Sequence, residues 1–314
     1  MKLRFIFNPH SGRNLRRPWL APAILDFIRT LSLDATLVTT TGPGHATELA
    51  REALATGCDR VIAVGGDGTM NEVAQALLDA DAALGLVPCG SGNGLALHLG
   101  LPLGTRRALE LATHPLTRAA AIDTGVVNGR PFFNAMGFGF DADVSRRFNQ
   151  LTRRGLPAYL RTGLKAFLER QTETVILRGG GHSAAVAVLL VAIANSDQYG
   201  NNARIAPGAR VDDGLLDLVA VRPVNLLSVL PLLARLFAGR FHTSPGAIRL
   251  RDAGFVIERS ASGLIHTDGE THETGATLMV SVRPRSLRLL VPAHARVTAP
   301  DDAVAPRGFQ LHLP

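Results

Sequence analysis

Val61-Ile62-Ala63-Val64-Gly65-Gly66-Asp67-Gly68-Thr69-Met70-Asn71-Glu72 is the stretch whose reading decides the fold. Four apolar, mostly β-branched residues predict a buried strand, and the glycines at 65, 66 and 68 predict a sharp turn. Thr69-x-x-Glu72 reads as a capping box opening a helix. Strand, glycine turn and helix in that order aim unpaired main-chain N–H groups and the positive end of a helix at one point, where an anion can approach the backbone closely. The alternative is an ordinary βα turn. Asp67 argues for the phosphate cradle, because a carboxylate would repel a naked phosphate and so implies a bridging Mg²⁺ or an oriented water, as nucleotide chemistry requires. The stretch is neither G-x-x-x-x-G-K-[ST] nor G-x-G-x-x-G, so a different nucleotide-binding design is expected.

Upstream, residues 3–7 form a first strand that runs into Asn8-Pro9-His10-Ser11-Gly12-Arg13. A polar loop at a strand's carboxyl end is where open α/β sheets bind ligands, and Arg13 is placed to clamp a phosphate. A helix over 19–31, a strand over 35–40 and a helix over 45–56 follow. Downstream, the strand 83–88 ends in Gly90-Ser91-Gly92-Asn93-Gly94 before a helix that begins near Leu95. Ser91 and Asn93 add side-chain donors and acceptors, and two such loops at one sheet edge would grip both ends of a nucleotide. Strands alternating with helices predict a parallel sheet in an α/β domain spanning 1–121.

Beyond residue 121 the periodicity changes. Runs at 132–140, 174–178, 184–195, 215–221, 247–251, 255–258, 264–267, 277–282 and 287–291 are short and often β-branched, separated by Gly, Pro and Asp. They predict an antiparallel sandwich or barrel over 122–297, with a hinge near 114–123 and an active site in the interdomain cleft. Two helical segments interrupt it. One, over 144–169, carries a basic cluster; the other, Leu226 to Phe237, is apolar nearly all round except for Arg235, contains Pro231, and either packs on the sandwich or dips into a lipid interface. Ile265-His266-Thr267-Asp268-Gly269-Glu270 reads as a strand entering an acidic turn. A carboxylate there is placed to accept a proton from an attacking hydroxyl, against the plainer reading of a turn with surface charges. Residues 298–314 read as a tail, mobile or packed back on the first domain.

Composition bounds the rest. With 46% hydrophobic and 19% charged residues over 314 positions, the chain should form two globular domains. The net charge of +7 falls on the second half, and 146–170 holds Arg146, Arg147, Arg153, Arg154, Arg161, Lys165 and Arg170 against Glu169 alone. That bias suits an acidic phospholipid surface or a polyphosphate, or else a solvated helix face. Nucleic acid is disfavoured, since aromatics make up only 5% of the chain and few fall in the basic segment. Cys58 and Cys89 look like small core residues in a reducing cytoplasm. No apolar run reaches the length of a membrane span, so a soluble or peripheral protein is expected.

Taken together, Gly65-Gly66-Asp67-Gly68-Thr69 with Asn71-Glu72, Gly90-Ser91-Gly92-Asn93, Arg204 to Ala209 leading to Asp212-Asp213-Gly214-Leu215-Leu216-Asp217, and Asp268-Gly269-Glu270 resemble the diacylglycerol kinase catalytic-domain family. This family includes bacterial lipid kinases and the sphingosine and ceramide kinases. The resemblance runs from Asn8-Pro9 to at least Val291, and it implies an NAD-kinase-like α/β domain followed by a β-sandwich. It further implies transfer of the ATP γ-phosphoryl group to a lipid hydroxyl. Asn8, Thr40, the loop Gly65, Gly66, Asp67, Gly68, Thr69, Met70 and Asn71, and Ser91 would contact ATP. Glu270 would accept the proton, and Asp67 would support a magnesium and water network. A Mg²⁺ site would use the Asp213 side chain with main-chain oxygens of Arg210 and Leu215. The Gly-Ser-Gly-Asn-Gly loop is more similar to the sphingosine-kinase version, with Gly94 where many bacterial diacylglycerol kinases have Asp. A sphingoid base therefore stands beside diacylglycerol as the expected substrate, and Asp143 is similar in place to residues that meet the lipid head group. The implied location is cytoplasmic, peripherally at the inner face of the membrane, with a homodimer left open. A soluble-substrate kinase of the NAD-kinase type shares the Gly-Gly-Asp-Gly loop and is the nearest rival reading.

Overall fold

The structure, a computed structural model, describes residues 1–149 and 172–297. The chain divides into two units. Unit 1 holds Met1–Ile122 with the described residues 285–297, and unit 2 holds Asp123–Pro284. Residues 285–297, read from sequence with the second domain, thus group with the first, and the tail 298–314 lies outside the described residues.

In unit 1, β1 (Leu3–Phe7), β2 (Ala35–Thr39), β3 (Arg60–Gly65) and β4 (Ala83–Pro88) form a parallel sheet in the order β2-β1-β3-β4. Every residue of β3 and β4 is buried, as expected of central parallel strands covered on both faces. The covering helices are α1 (Leu20–Thr30), α2 (His45–Ala55), α3 (Asp67–Ala76), the short α4 (Gly94–His98) and α5 (Thr105–Thr113). Leu20, Ile24 and Ile28 recur at helical spacing on α1 and share a core cluster with Phe5, Ile62 and Val87. Helix α5 escaped the sequence reading. Its carboxyl end is held by the buried Arg60, whose guanidinium donates to the carbonyls of Ala112 (3.0 Å), His114 (2.9 Å) and Pro115 (3.2 Å).

Unit 2 is a sandwich of antiparallel strands. One sheet runs β12 (Ala247–Asp252), β11 (Leu216–Val221), β10 (Leu190–Ala194), β7 (Ala135–Gly139), β14 (Gly263–Thr267), β15 (Glu270–Thr274). The facing strands are β8 (Glu173–Gly179), β9 (His182–Val188), β13 (Gly254–Glu258) and the first part of β16 (Thr277–Val291). Alternate residues of both sheets, such as Met136 and Phe138, Val191 and Ile193, Val175 and Leu177, and Phe255 and Ile257, meet in one core. The other face of β10 and β11 is covered as well: Ala192, Ala194, Val219 and Val221 lie under Phe241 and under Leu232 and Leu236 of helix α7 (Leu226–Phe237).

Two strand boundaries differ from the sequence reading. The run 184–195 is two strands, the exposed β9 and the fully buried β10, because its unbroken Ala/Val/Leu content hides the change of sheet. Conversely, 277–282 and 287–291 are one strand of 15 residues that continues through Pro284 and the positive-φ Arg285. Strand β5 (Arg118–Val127) and the short β6 (Arg130–Phe132) form a hairpin, and α6 (Phe140–Asn149) follows β7. The remainder of the basic segment lies outside the described residues.

Candidate active site

Three loops converge at the carboxyl edge of the unit 1 sheet, and they pack backbone against backbone. A Cβ on Gly90 would stand 2.6 Å from the Gly66 Cα, one on Gly66 would stand 3.0 Å from the Gly90 Cα, and one on Gly12 would stand 2.6 Å from the Cys89 carbonyl oxygen. These glycines therefore serve loop-to-loop contact first, a role that the sequence reading had given to the approach of an anion. Helix α3 opens directly from Gly66, whose extended backbone places the first intrahelical bond at Met70 N–H to Gly66 O (3.0 Å). The main-chain N–H groups of Gly68 and Thr69 in this first turn have no intrahelical acceptor and lie at the positive end of the helix.

The expected capping box does not form. Thr69 sits inside α3, where its Oγ accepts from the Asn8 amide (2.9 Å), and the Glu72 carboxylate instead takes the Ala46 N–H at the start of α2 (3.0 Å). Asn8 is held from both sides, since its Oδ1 accepts from His10 N–H (2.9 Å). Asn14, which the sequence reading passed over, is buried; it donates to the Asn8 carbonyl within the loop (2.8 Å) and ties the loop to β3 by reaching the Val64 carbonyl (3.4 Å).

Asp67 and Asn93 turn out to build the site's frame. Asp67 accepts the N–H of Asn93 and of Gly94, each at 2.8 Å, so one carboxylate staples the first glycine loop to the second. Burial raises its carboxyl above the usual range, against the pull of those N–H groups. Asn93, buried at φ +52°, closes its own loop through two bonds to the Gly90 main chain at 3.0 Å. Met70 and Asn71 are buried, and Thr40 is buried at the end of β2, where its N–H bonds Phe7 O (2.9 Å). Ser91 and Arg13 are exposed at the loop tips and make no side-chain hydrogen bond or ion pair among the described residues.

In unit 2, Asp268-Gly269 is a two-residue hairpin turn between β14 and β15, with φ +51° and +88° and Thr267 paired to Glu270. Asp-Gly suits such a turn because both positions need positive φ. Glu270 is exposed at the first position of β15. Asp268 is no surface charge: it accepts the N–H groups of Phe133 (2.8 Å), Asn134 (2.7 Å) and Ala135 (3.0 Å), and burial pushes its carboxyl up to about 6.

Behind this turn lies a buried cluster. Asp141, at the start of α6, meets His266 Nε2 at 2.7 Å and the Tyr199 hydroxyl at 2.6 Å, while Gly269 N–H reaches His266 Nδ1 at 3.3 Å. Burial opposes a charged imidazole, yet the Asp141 carboxylate outweighs it and holds His266 above its ordinary 6.5. Burial likewise opposes ionisation of Asp141, but His266 and Tyr199 carry it below the usual carboxylate range. The sequence signal for this cluster was slight: Tyr199 is one of only two tyrosines, and a buried tyrosine needs a partner for its hydroxyl. Asp143, two residues on in the first turn of α6, is paired with Arg146 (2.6 Å) and Arg147 (2.7 Å) further along the helix.

The residues named for magnesium sit in the loop before β11. Arg210 pairs with Asp212 at 3.0 Å, and the Asp213 carboxylate takes the Leu215 N–H (3.2 Å) and the Arg251 guanidinium. With Asp217 bound to Arg249 beside it, the local charges are already balanced, so a cation at Asp213 would have to displace Arg251. Asp67 fits a cation better, because each of its oxygens keeps a lone pair and its burial favours a counter-charge.

Comparison with known proteins gives this arrangement a context. Residues 2–126 match the family described as diacylglycerol kinase catalytic domain, and residues 134–291 match the YegS C-terminal NAD kinase beta sandwich-like domain. A probable lipid kinase YegS-like from Pseudomonas fluorescens is 37% identical over 254 residues, covering 79% of this chain and 83% of that protein. One from Pseudomonas aeruginosa is 35% identical over 256 residues, covering 80% and 82%. Among solved structures, a putative diacylglycerol kinase from Bacillus anthracis aligns with a TM-score of 0.74 at 22% identity, covering 93% of this chain and 97% of that one, a likeness of fold.

Proposed function

Because the chain belongs to the family of YegS-like lipid kinases with a diacylglycerol kinase catalytic domain, we propose that it transfers the γ-phosphoryl group of ATP to a hydroxyl of a lipid, a sphingoid base or a diacylglycerol. The observation that carries this reading is the joint between the two glycine loops. Asp67 and Asn93 spend their side chains on holding the loops together, which leaves the α3 amino terminus, Ser91 and Arg13 to face an anion. Main-chain donors fixed in this way lose little entropy when phosphate oxygens arrive, which suits a loose transition state whose charge lies on the equatorial oxygens.

The proton of the attacking hydroxyl goes to Glu270, whose position is set by the Asp268-Gly269 turn and its three N–H donors. Magnesium, bound with the triphosphate, would neutralise phosphate charge, and Asp67 is the carboxylate best suited to face it.

The test is incubation with γ-labelled ATP and a total lipid extract, followed by identification of the lipid that gains label. Label in a phospholipid or sphingoid fraction supports the reading. Label in added NAD but in no lipid rejects it in favour of the soluble-substrate kinase.

A further inference from the structure

Helix α7 buries one face and presents another that is entirely apolar. Leu232 and Leu236 pack on the sheet strands β10 and β11. The exposed residues from 227 to 238 are Leu227, Leu230, Pro231, Ala234 and Ala238, which share one side of the helix and include no polar side chain. Leu227 is 86% exposed and Leu230 76%, among the most exposed large apolar side chains of the described residues. Eleven residues of helix make the stripe about 16 Å long. A stripe of this kind on a water-facing helix marks a contact surface.

Its surroundings select the partner. From Leu218 to Arg251 the sequence contains no Asp or Glu, while Arg222 and Arg240 flank the helix and Arg235 lies in its last turn. None of these three guanidinium groups has an ion-pair partner among the described residues, and Arg222 and Arg240 are exposed. Arg204, whose N–H bonds the Leu236 carbonyl, adds a further cation at the carboxyl end, partly answered by Asp197 at 3.7 Å. Pro231 has no N–H to give the carbonyl of Leu227, so that carbonyl needs water or a head group. The stripe therefore suits the interfacial zone of a bilayer and not its hydrocarbon centre.

We propose that α7 docks the protein on an anionic phospholipid surface, with Leu227, Leu230 and Pro231 entering the interface and Arg222 and Arg240 meeting lipid phosphates. The proposal rests on the lipid-kinase reading for its purpose, since the substrate resides in such a surface, and it assigns the contact to a helix distinct from the basic segment 146–170.

The experiment is co-sedimentation with phosphatidylcholine vesicles, with and without phosphatidylglycerol, in the absence of ATP. The wild-type chain should sediment with the anionic vesicles. Leu227→Glu/Leu230→Glu should lower that partition by about ten- to a hundredfold, and Arg222→Gln and Arg240→Gln by about fivefold each at low salt. As both leucines are exposed, an unchanged thermal transition should accompany the loss, and Leu227→Ala/Leu230→Ala should give an intermediate result. Unaltered binding by the Glu pair overturns the proposal, as does a wild-type dimer that the Glu pair converts to monomer, which would make a second copy the occupant. Phosphorylation of a short-chain lipid dispersed as monomers separates the two readings. The Glu pair should retain it, whereas its absence in the wild-type chain alongside intact vesicle binding would sink the kinase reading and leave the docking surface standing.

Discussion

The glycine loops of unit 1 and the acidic hairpin of unit 2 solve opposite problems with the same two kinds of group. In unit 1 a carboxylate, Asp67, and an amide, Asn93, are consumed in holding loops, which leaves the main chain for the proposed anion contact. In unit 2 the main-chain N–H groups of Phe133, Asn134 and Ala135 are consumed by Asp268, in the turn that sets the place of Glu270, the proposed proton acceptor. Main-chain donors suit a phosphate that must be bound from several sides without displacement of a competing cation. Proton transfer instead needs one titratable group whose place is fixed by neighbours that do not themselves move. In each unit the conspicuous aspartate is a strut, and the proposed chemistry falls to what it positions.

The contrast breaks most visibly at Glu270. Glu270→Gln should reduce lipid phosphorylation by about a hundred- to ten-thousandfold while ATP binding persists, because the acceptor is lost and the loops of unit 1 are untouched. Turnover close to wild type, measured at saturating lipid and ATP, would assign the proton elsewhere.

Next comes the buried pair behind the hairpin. Asp141→Asn should cost unit 2 about 3–5 kcal/mol by leaving His266 without its counter-ion, read as a lowered denaturation midpoint. In the wild type, His266 is held above 6.5 and Asp141 below 3.8, so their joint contribution to stability is complete between those values. It is lost as pH rises through the folded-state value of His266, because the neutral imidazole no longer attracts the carboxylate. Asp141→Asn should therefore also flatten the decline in stability above pH 6.5, and a decline as steep as in the wild type would remove the pair from the account.

Gly90→Ala tests the joint of the loops. Its Cβ would lie 2.6 Å from the Gly66 Cα and 2.9 Å from Asn93 Oδ1, so the loops must part, at a cost of about 1–3 kcal/mol. ATP affinity, followed by calorimetry, should fall, while Gly104→Ala, with nothing within 4 Å, should leave it unchanged. Equal affinities in the two variants would mean that the loop contact does not shape the anion site.

The smallest effect sharpens the role of Asp67. Asp67→Asn keeps one acceptor but turns an amide NH₂ toward a main-chain N–H, costing about 1–3 kcal/mol at most. If Asp67 both staples the loops and faces magnesium, the variant should need more magnesium for half-maximal activity. Activity equal to wild type at every magnesium concentration would confine it to stapling.

How far the sequence could be read varied with the range of the interactions. The strands 3–7, 61–64 and 83–88 and the helices 19–31 and 45–56 were legible because their apolar period is a local property. The Thr69-x-x-Glu72 box was not, since Thr69 is taken by Asn8, 61 positions away, and Glu72 by Ala46, 26 positions away. The run 184–195 concealed its break because a strand buried on both faces has no polar beat to mark its edges.

Local pattern alone determined that a glycine turn sits between a buried strand and a helix, that a strand enters an acidic turn at Asp268-Gly269-Glu270, and that the second half is built from short antiparallel strands. That Asp67 and Asp268 hold neighbouring main-chain N–H groups, that Tyr199 and Asp141 meet His266, and that one face of Leu226–Phe237 remains uncovered were decided only when the chain folded. Those outcomes depend on hydrogen bonds and burial between residues tens of positions apart, and the sequence around any one of those residues carries no trace of its partner.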